Sequence, residues 1–302
     1  MDRLLIVGCG DVARRALPWL ARRFRVYATV RGEGDAAGLR AFGVTPIPGD
    51  LDRPGTLRRL PGIARLILYT APPQPRGARD ERLRRLLAAL AGARSSLPRR
   101  IVYIGTTGVY GDCRGASVAE TRPVAPQTAR ARRRLDAERV LRRFGRRCGV
   151  AVSILRCPGI YAADRLPVER IRRGEPVLRE ADDVFSNHIH AEDLARACAL
   201  ALFRARSGRI YNACDDTRCR MGDYFDLVAR AFGLPCPPRV AREEAGRHLS
   251  PMTMSFMAES RRLDNTRIKR ELRLRLRYPD VHAGLAAARG SETASEVSSC
   301  SP

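Results

Sequence analysis

This sequence predicts an α/β fold, a doubly wound parallel sheet, and three observations carry that expectation. Short apolar runs recur from Leu4 to Ile104, separated by stretches with helical apolar spacing. Parallel strands need such crossovers, and helices on both faces leave the strands apolar on both sides rather than alternating. The first run ends in a Gly-x-Gly-x-x-Ala turn, Gly8 to Ala13, where a strand would hand over to a helix. A chain of 302 residues can also bury a substantial core, as one large domain or two small ones.

Leu4 to Val7 form the first strand, and a helix opens at Asp11 or Val12. The small residues between them have separate tasks. Gly8 takes the backbone angles of a tight turn, Gly10 lets a pyrophosphate approach bare main chain, and Ala13 lets the helix lie close to the strand. Free N–H groups and the positive end of the helix dipole then face the phosphates. Asp11 to Arg23 reads as a helix with Val12, Leu17 and Leu20 inward. Pro18 is its flaw, because an interior proline removes a donor and tends to kink the helix. Phe24 to Val30 is the second strand, with Arg31 just beyond it. An acidic residue about 20 positions past the glycines holds a ribose 2′-hydroxyl, whereas an arginine suits a 2′-phosphate. Arg31 therefore points to NADP, while Glu33 and Asp35 keep NAD open.

Val44 to Ile47 is a third strand ending at Gly49-Asp50-Leu51, and Leu66 to Thr70 a fourth, followed by Ala71-Pro72-Pro73. Arg79 to Leu90 is helical by its apolar spacing, and Arg100 to Ile104 is the fifth strand. Ligands of such sheets lie outside the carboxyl ends of the strands. The candidate coenzyme contacts are accordingly Gly8, Cys9, Gly10, Asp11, Val12, Ala13, Arg31, Asp50, Leu51, Thr70 and Ala71.

After the fifth strand comes Gly105-Thr106-Thr107-Gly108-Val109-Tyr110-Gly111. Further on stand Leu155-Arg156-Cys157-Pro158-Gly159-Ile160-Tyr161, Asn187-His188-Ile189-His190-Ala191-Glu192-Asp193, and Ile210-Tyr211-Asn212-Ala213. In that order these segments resemble the extended short-chain dehydrogenase/reductase family, which includes nucleotide-sugar epimerases and dehydratases. Arg262-Leu263-Asp264-Asn265 and Tyr278-Pro279 resemble the C-terminal end of an atypical branch. The resemblance runs from about Arg3 to Leu285 and implies a Rossmann-type core from 1–157 and 187–216. A small C-terminal substrate lobe would come from 158–186 and 217–285, with a disordered tail from Ala286 to Pro302.

Such a family moves a hydride to or from nicotinamide while a Tyr-x-x-x-Lys pair on one helix face moves a proton and holds the ribose. By resemblance Thr106 is the hydroxyl that polarises the substrate and also meets the coenzyme; the plainer alternative is a turn hydroxyl that caps backbone. The Tyr-x-x-x-Lys pair is missing. Alignment on Glu138 places Arg130 and Arg134 at its two positions, and no tyrosine lies between Tyr110 and Tyr161. Arg134 retains positive charge near the ribose, but an arginine at 130 cannot donate a proton, its pKa exceeding about 12. Tyr161 and His188 are the remaining candidates for the acid, against readings as a cleft wall and a hydrogen-bonded loop residue. The implied activity is that of an NAD(P)-dependent oxidoreductase or epimerase/dehydratase on a small polar substrate such as a nucleotide sugar. The alternatives are a non-catalytic NADP-binding regulator and a nucleic-acid-binding protein on a nucleotide-binding fold.

Composition bounds the remaining classes. No run approaches the ~18 apolar residues of a membrane span, and nine irregularly spaced cysteines suggest reduced thiols in the cytoplasm. The spacings Cys214/Cys219 and His188/His190 read as packing, so no metal is expected. The net charge of +24 rests almost wholly on arginine, Lys269 being the only lysine. Arg130 to Arg147 alone holds nine arginines around an apolar stripe of Leu135, Val140, Leu141 and Phe144. The resemblance implies a homodimer through that helix, which such charge opposes; non-specific nucleic acid is the partner this charge would attract, and the plainer reading is a solvated helix face on an unusually basic surface.

Overall fold

A computed structural model describes residues 1–92 and 97–299, without side chains at 33 and 291–299. Seven strands build the central sheet: β1 (Asp2–Val7), β2 (Phe24–Val30), β3 (Thr45–Pro48), β4 (Leu66–Tyr69), β5 (Arg100–Thr106), β6 (Ala151–Cys157) and β7 (Ile210–Asn212). Their order is β7-β6-β5-β4-β1-β2-β3, parallel throughout. The order reverses between β1 and β4, which opens a crevice at the carboxyl ends of the strands. This is a Rossmann-type sheet, as the spacing of runs and helices predicts.

Five longer helices follow sheet strands: α1 (Asp11–Leu20), α2 (Glu33–Arg40), α3 (Glu81–Gly92), α4 (Ala129–Cys148) and α5 (Ala191–Arg204). Successive strand residues point to opposite faces. Leu4 and Ile6 therefore pack with α1 and α5, and Leu5 and Val7 with α3 and α4. From Leu4 to Val7 both faces of β1 are buried, which explains that unbroken apolar run. No described helix is long and apolar enough to cross a membrane.

Several boundaries differ from expectation for local reasons. Helix α1 ends at Leu20, not Arg23, and residues 21–23 form a turn soon after Pro18. Its buried face is Ala13, Ala16, Leu17 and Leu20, with Val12 only half-buried. Helix α3 starts at Glu81 rather than Arg79, because the Asp80 carboxylate accepts the Leu83 N–H at 3.0 Å and caps it. The largest difference is at the C-terminus. A helix, Val281–Ser299, runs through the stretch expected to be disordered from Ala286. Val281, Leu285 and Ala288 are buried at helical spacing, and the alanines that looked featureless in sequence favour helix intrinsically. Residues 300–302 of that expected tail lie outside the described residues.

This helix joins a third apolar cluster, separate from the two sheet faces, that contains Tyr161, Ile171, Val177, Tyr224, Phe225 and Val228. Its chain comes from both sides of α5, so distant segments close over the end of the sheet.

Candidate active site

The glycine turn becomes a cleft because two strand ends meet there. Gly8 has φ +88°, and a Cβ on it would stand 2.6 Å from the Ala71 nitrogen and Cα. Only glycine lets these backbones come so close. Hydrogen bonds hold the approach: the Thr70 hydroxyl donates to the Gly8 carbonyl, and the Gly8 N–H donates to Thr29 Oγ1 at 3.3 Å. Gly10 is a different case. A Cβ on Gly10 meets nothing within 4 Å, so the space beside its main chain is open.

A cleft of ≈ 360 Å³ lies over this turn. It gathers Gly8, Cys9, Gly10, Arg31, Asp50, Leu51, Thr70 and Ala71 from four separate segments, and Asp35 lines it too. Asp11, Val12 and Ala13 do not line it. The Asp11 carboxylate is taken by Arg15 at 2.8 Å and Arg165 at 2.9 Å, while Val12 and Ala13 pack against the core. Two arginines that no motif flagged, Arg14 and Arg82, also line the cleft. Arg82 is anchored by Asp52 at 2.5 Å and keeps that carboxyl below its usual range. Open backbone at Gly10 with cationic side chains around it fits the phosphates of a dinucleotide.

Strand β5 pairs with β4, so the chain leaving Thr106 continues the same edge of the sheet. A second cavity of ≈ 520 Å³ opens there and brings together Thr106, Arg130, Tyr161 and His188. Thr106 Oγ1 accepts the Gly108 N–H at 3.2 Å, the backbone cap that its plainer reading anticipates. The hydroxyl hydrogen remains to donate into the cavity. Tyr161 is committed elsewhere: its hydroxyl donates to the Asp280 carbonyl at 3.0 Å, and burial pushes its pKa far up. It stands as a wall. His188 has Nε2 3.1 Å from Ser186 Oγ and stacks on Tyr224 with ring centroids 4.2 Å apart. Burial pushes His188 down to about 4, so it is neutral at pH 7.

Arg134 enters neither cavity. Its Nη1 donates to the Tyr103 hydroxyl and the Ile104 carbonyl, each at 3.1 Å, on the α4 side of β5. Helical spacing puts residues 130 and 134 one above the other, but the long side chain of Arg134 turns back onto the strand. Sequence reasoning missed Ser186, Phe256, Glu259 and Arg261, which complete the second cavity. They lie in the C-terminal half with no motif of their own. Among the described residues, four buried polar atoms of this wall find no hydrogen-bond partner: Arg170 Nη2, His188 Nδ1, Glu259 Oε1 and Arg261 Nε. Such atoms are uncommon in a closed core.

One carboxyl beside this lobe makes stability depend on pH. Burial pushes Asp215, 4% exposed, up to about 7. The folded chain then holds a proton that the unfolded chain releases near pH 4, so stability falls as pH rises from about 4 to 7 and stays lowered above. His188 acts in the opposite sense, adding stability as pH rises from about 4 to its ordinary 6.5. Asp215→Asn removes the first effect alone. In thermal melts the variant should match wild type near pH 4 and melt higher above pH 7; an equal gap at both ends would contradict this.

Residues 80–214 match the NAD dependent epimerase/dehydratase family. A functionally unknown conserved protein from Silicibacter pomeroyi DSS superposes with TM-score 0.81 at 31% identity, over 96% of this chain and 99% of that one. Over residues 80–214 the chain carries a domain of the NAD dependent epimerase/dehydratase family. Protein YeeZ of Escherichia coli K12 is 30% identical over 181 residues, a stretch that spans 60% of this chain and 59% of YeeZ. UDP-glucose 4-epimerase from Thermotoga maritima, solved with UDP-glucose, is 16% identical and shares the fold with TM-score 0.78 over 97% of this chain and 99% of its own. The stretch matched to this epimerase/dehydratase family contains Thr106, Arg134, Arg156, Tyr161 and His188.

Proposed function

We propose that this chain binds NADP, or NAD, along the first cleft and exchanges hydride with a small polar substrate in the second cavity. What carries the reading is continuity: the open backbone at Gly10 and the hydroxyl of Thr106 lie at the carboxyl ends of one parallel sheet, each with its own cavity. When bound, a nicotinamide coenzyme supplies the hydride acceptor or donor. Thr106 would donate its hydroxyl hydrogen to the substrate oxygen, and the Ser186–His188 pair, 3.1 Å apart in the same cavity, is neutral at pH 7 and would pass a proton only transiently. The 1–157 and 187–216 core with its 158–186 and 217–285 lobe is the division we assign to these two roles. Assay of reduced-coenzyme consumption against a panel of keto-sugars and nucleotide keto-sugars tests the reading, and turnover that survives Thr106→Ala would remove Thr106 from it.

Arg31 supports the preference for NADP, since it lines the cleft at the end of β2 beside Asp35. Arg31→Glu should weaken NADP far more than NAD in parallel titrations, by about ten- to a hundredfold for lost charge-assisted hydrogen bonds. An unchanged ratio would contradict the preference. A second reading, a coenzyme-binding protein without turnover, is favoured by the commitment of the Tyr161 hydroxyl to Asp280. Saturable coenzyme binding with no consumption across the panel would select it.

A further inference from the structure

Four arginines line the second cavity, and three have anionic partners. Arg165 binds Asp11 at 2.9 Å, Arg170 binds Glu175 at 2.7 Å, and Arg261 binds Glu259 at 2.8 Å. The fourth is Arg130. Among the described residues its guanidinium forms no hydrogen bond and no ion pair; its carbon sits 4.2 Å from the centroid of the Phe256 ring. Removal from water pushes its pKa down, and Glu259, whose charge acts on it against that, is paired with Arg261. A half-buried cation without a directly paired, hydrogen-bonded anion is costly. Stacked on a ring by its face, a guanidinium keeps its edge N–H groups free, in a fork that matches two oxygens of a carboxylate or phosphate.

The surroundings complete an anion site. Thr106 and Thr128 line the same cavity. Their hydroxyl oxygens already accept backbone N–H groups, from Gly108 at 3.2 Å and Ala131 at 3.1 Å, which leaves each hydroxyl hydrogen to donate. These groups adjoin: a Cβ on Gly108 would lie 3.6 Å from Thr106 Oγ1 and 3.7 Å from the Ala131 side chain. His188, neutral at pH 7, adds no competing charge.

We propose that Arg130, flanked by Thr106 and Thr128, binds the carboxylate or phosphoryl group of a small anionic ligand at the end of the second cavity nearest the coenzyme cleft. The substrate is then an acid or a phosphate ester whose charged group sits beside Thr106, not a neutral sugar ring at that position. This rests on reading the second cavity as the substrate chamber, but the anion site itself requires no coenzyme.

Calorimetric titration of the full chain with inorganic phosphate and, separately, malonate tests it, with glycerol as the neutral control. Wild type should bind at least one anion saturably, and the stronger of the two identifies phosphoryl or carboxylate recognition. R130Q should weaken that binding about ten- to a hundredfold. R130K, which keeps the charge but loses the fork, should fall between. R142Q alters an exposed arginine of α4 outside both cavities and should bind as wild type. Equal loss in R142Q would reassign the binding to diffuse attraction by the +24 surface. Wild-type affinity in both Arg130 variants, or no saturable heat from either anion with wild type, would overturn the proposal. Coenzyme titration of the same samples keeps the two readings apart, because Arg130 does not line the first cleft. Retained coenzyme affinity beside lost anion binding supports both readings. Anion binding without any coenzyme binding would sink the proposed function and leave the anion site standing.

Discussion

Gly10→Val should abolish coenzyme binding while the protein stays folded. The two glycines of the turn separate these effects. A side chain at Gly8 would strike the Ala71 backbone at 2.6 Å from a backbone conformation with φ +88°, so substitution there destabilises the fold itself. Gly10 has neither constraint: its φ is not in the left-handed range, and an added Cβ finds open space. Valine is accommodated by the empty protein and fills the volume through which a pyrophosphate reaches the main chain. The expected result is a melting temperature close to wild type with no measurable heat for any coenzyme form. Near-native affinity in Gly10→Val would place the ligand elsewhere.

Glu138→Ala should cost about 3–5 kcal/mol of folding stability, the usual effect of stranding a buried charge. Arg156 on β6 reaches Glu138 on α4 through two hydrogen bonds, 3.0 and 2.7 Å, with both side chains under 5% exposed. Its guanidinium also lies 4.7 Å from the Tyr110 ring centroid. This pair ties α4, which carries Arg130 into the wall of the second cavity, to the sheet. Alanine at 138 leaves the arginine buried with no anion. Urea unfolding measures the loss; a cost within ~0.5 kcal/mol, as for an exposed site, would show that the pair is not buried in solution. Replacing both partners by apolar residues of similar volume should recover most of the stability.

The residues differ in how plainly they announced themselves. The β1 turn could be read directly because its constraints are local: an apolar run, then glycines at positions where neighbouring backbone or ligand leaves no room for a side chain. Arg31, Asp50 and Thr70 followed from the rule that parallel strands present their carboxyl ends together. Glu138 and Arg156 stood out by resemblance, but nothing in their spacing of 18 residues says that they meet. Arg134 had the right helical position and the wrong destination, since position fixes where a side chain starts and not where a long one ends. Ser186, Phe256 and Arg261 carry no local pattern at all; they reach the second cavity only through the packing of the lobe. The C-terminal helix was hidden for a related reason, its alanines giving little periodic contrast until Val281 and Leu285 find Tyr224 and Phe225.

The most direct measurement is isothermal titration of the wild-type chain with NAD and NADP, each oxidised and reduced. The account predicts saturable binding of one molecule per chain, strongest for an NADP form. Well-folded protein that gives no heat with any of the four would contradict it.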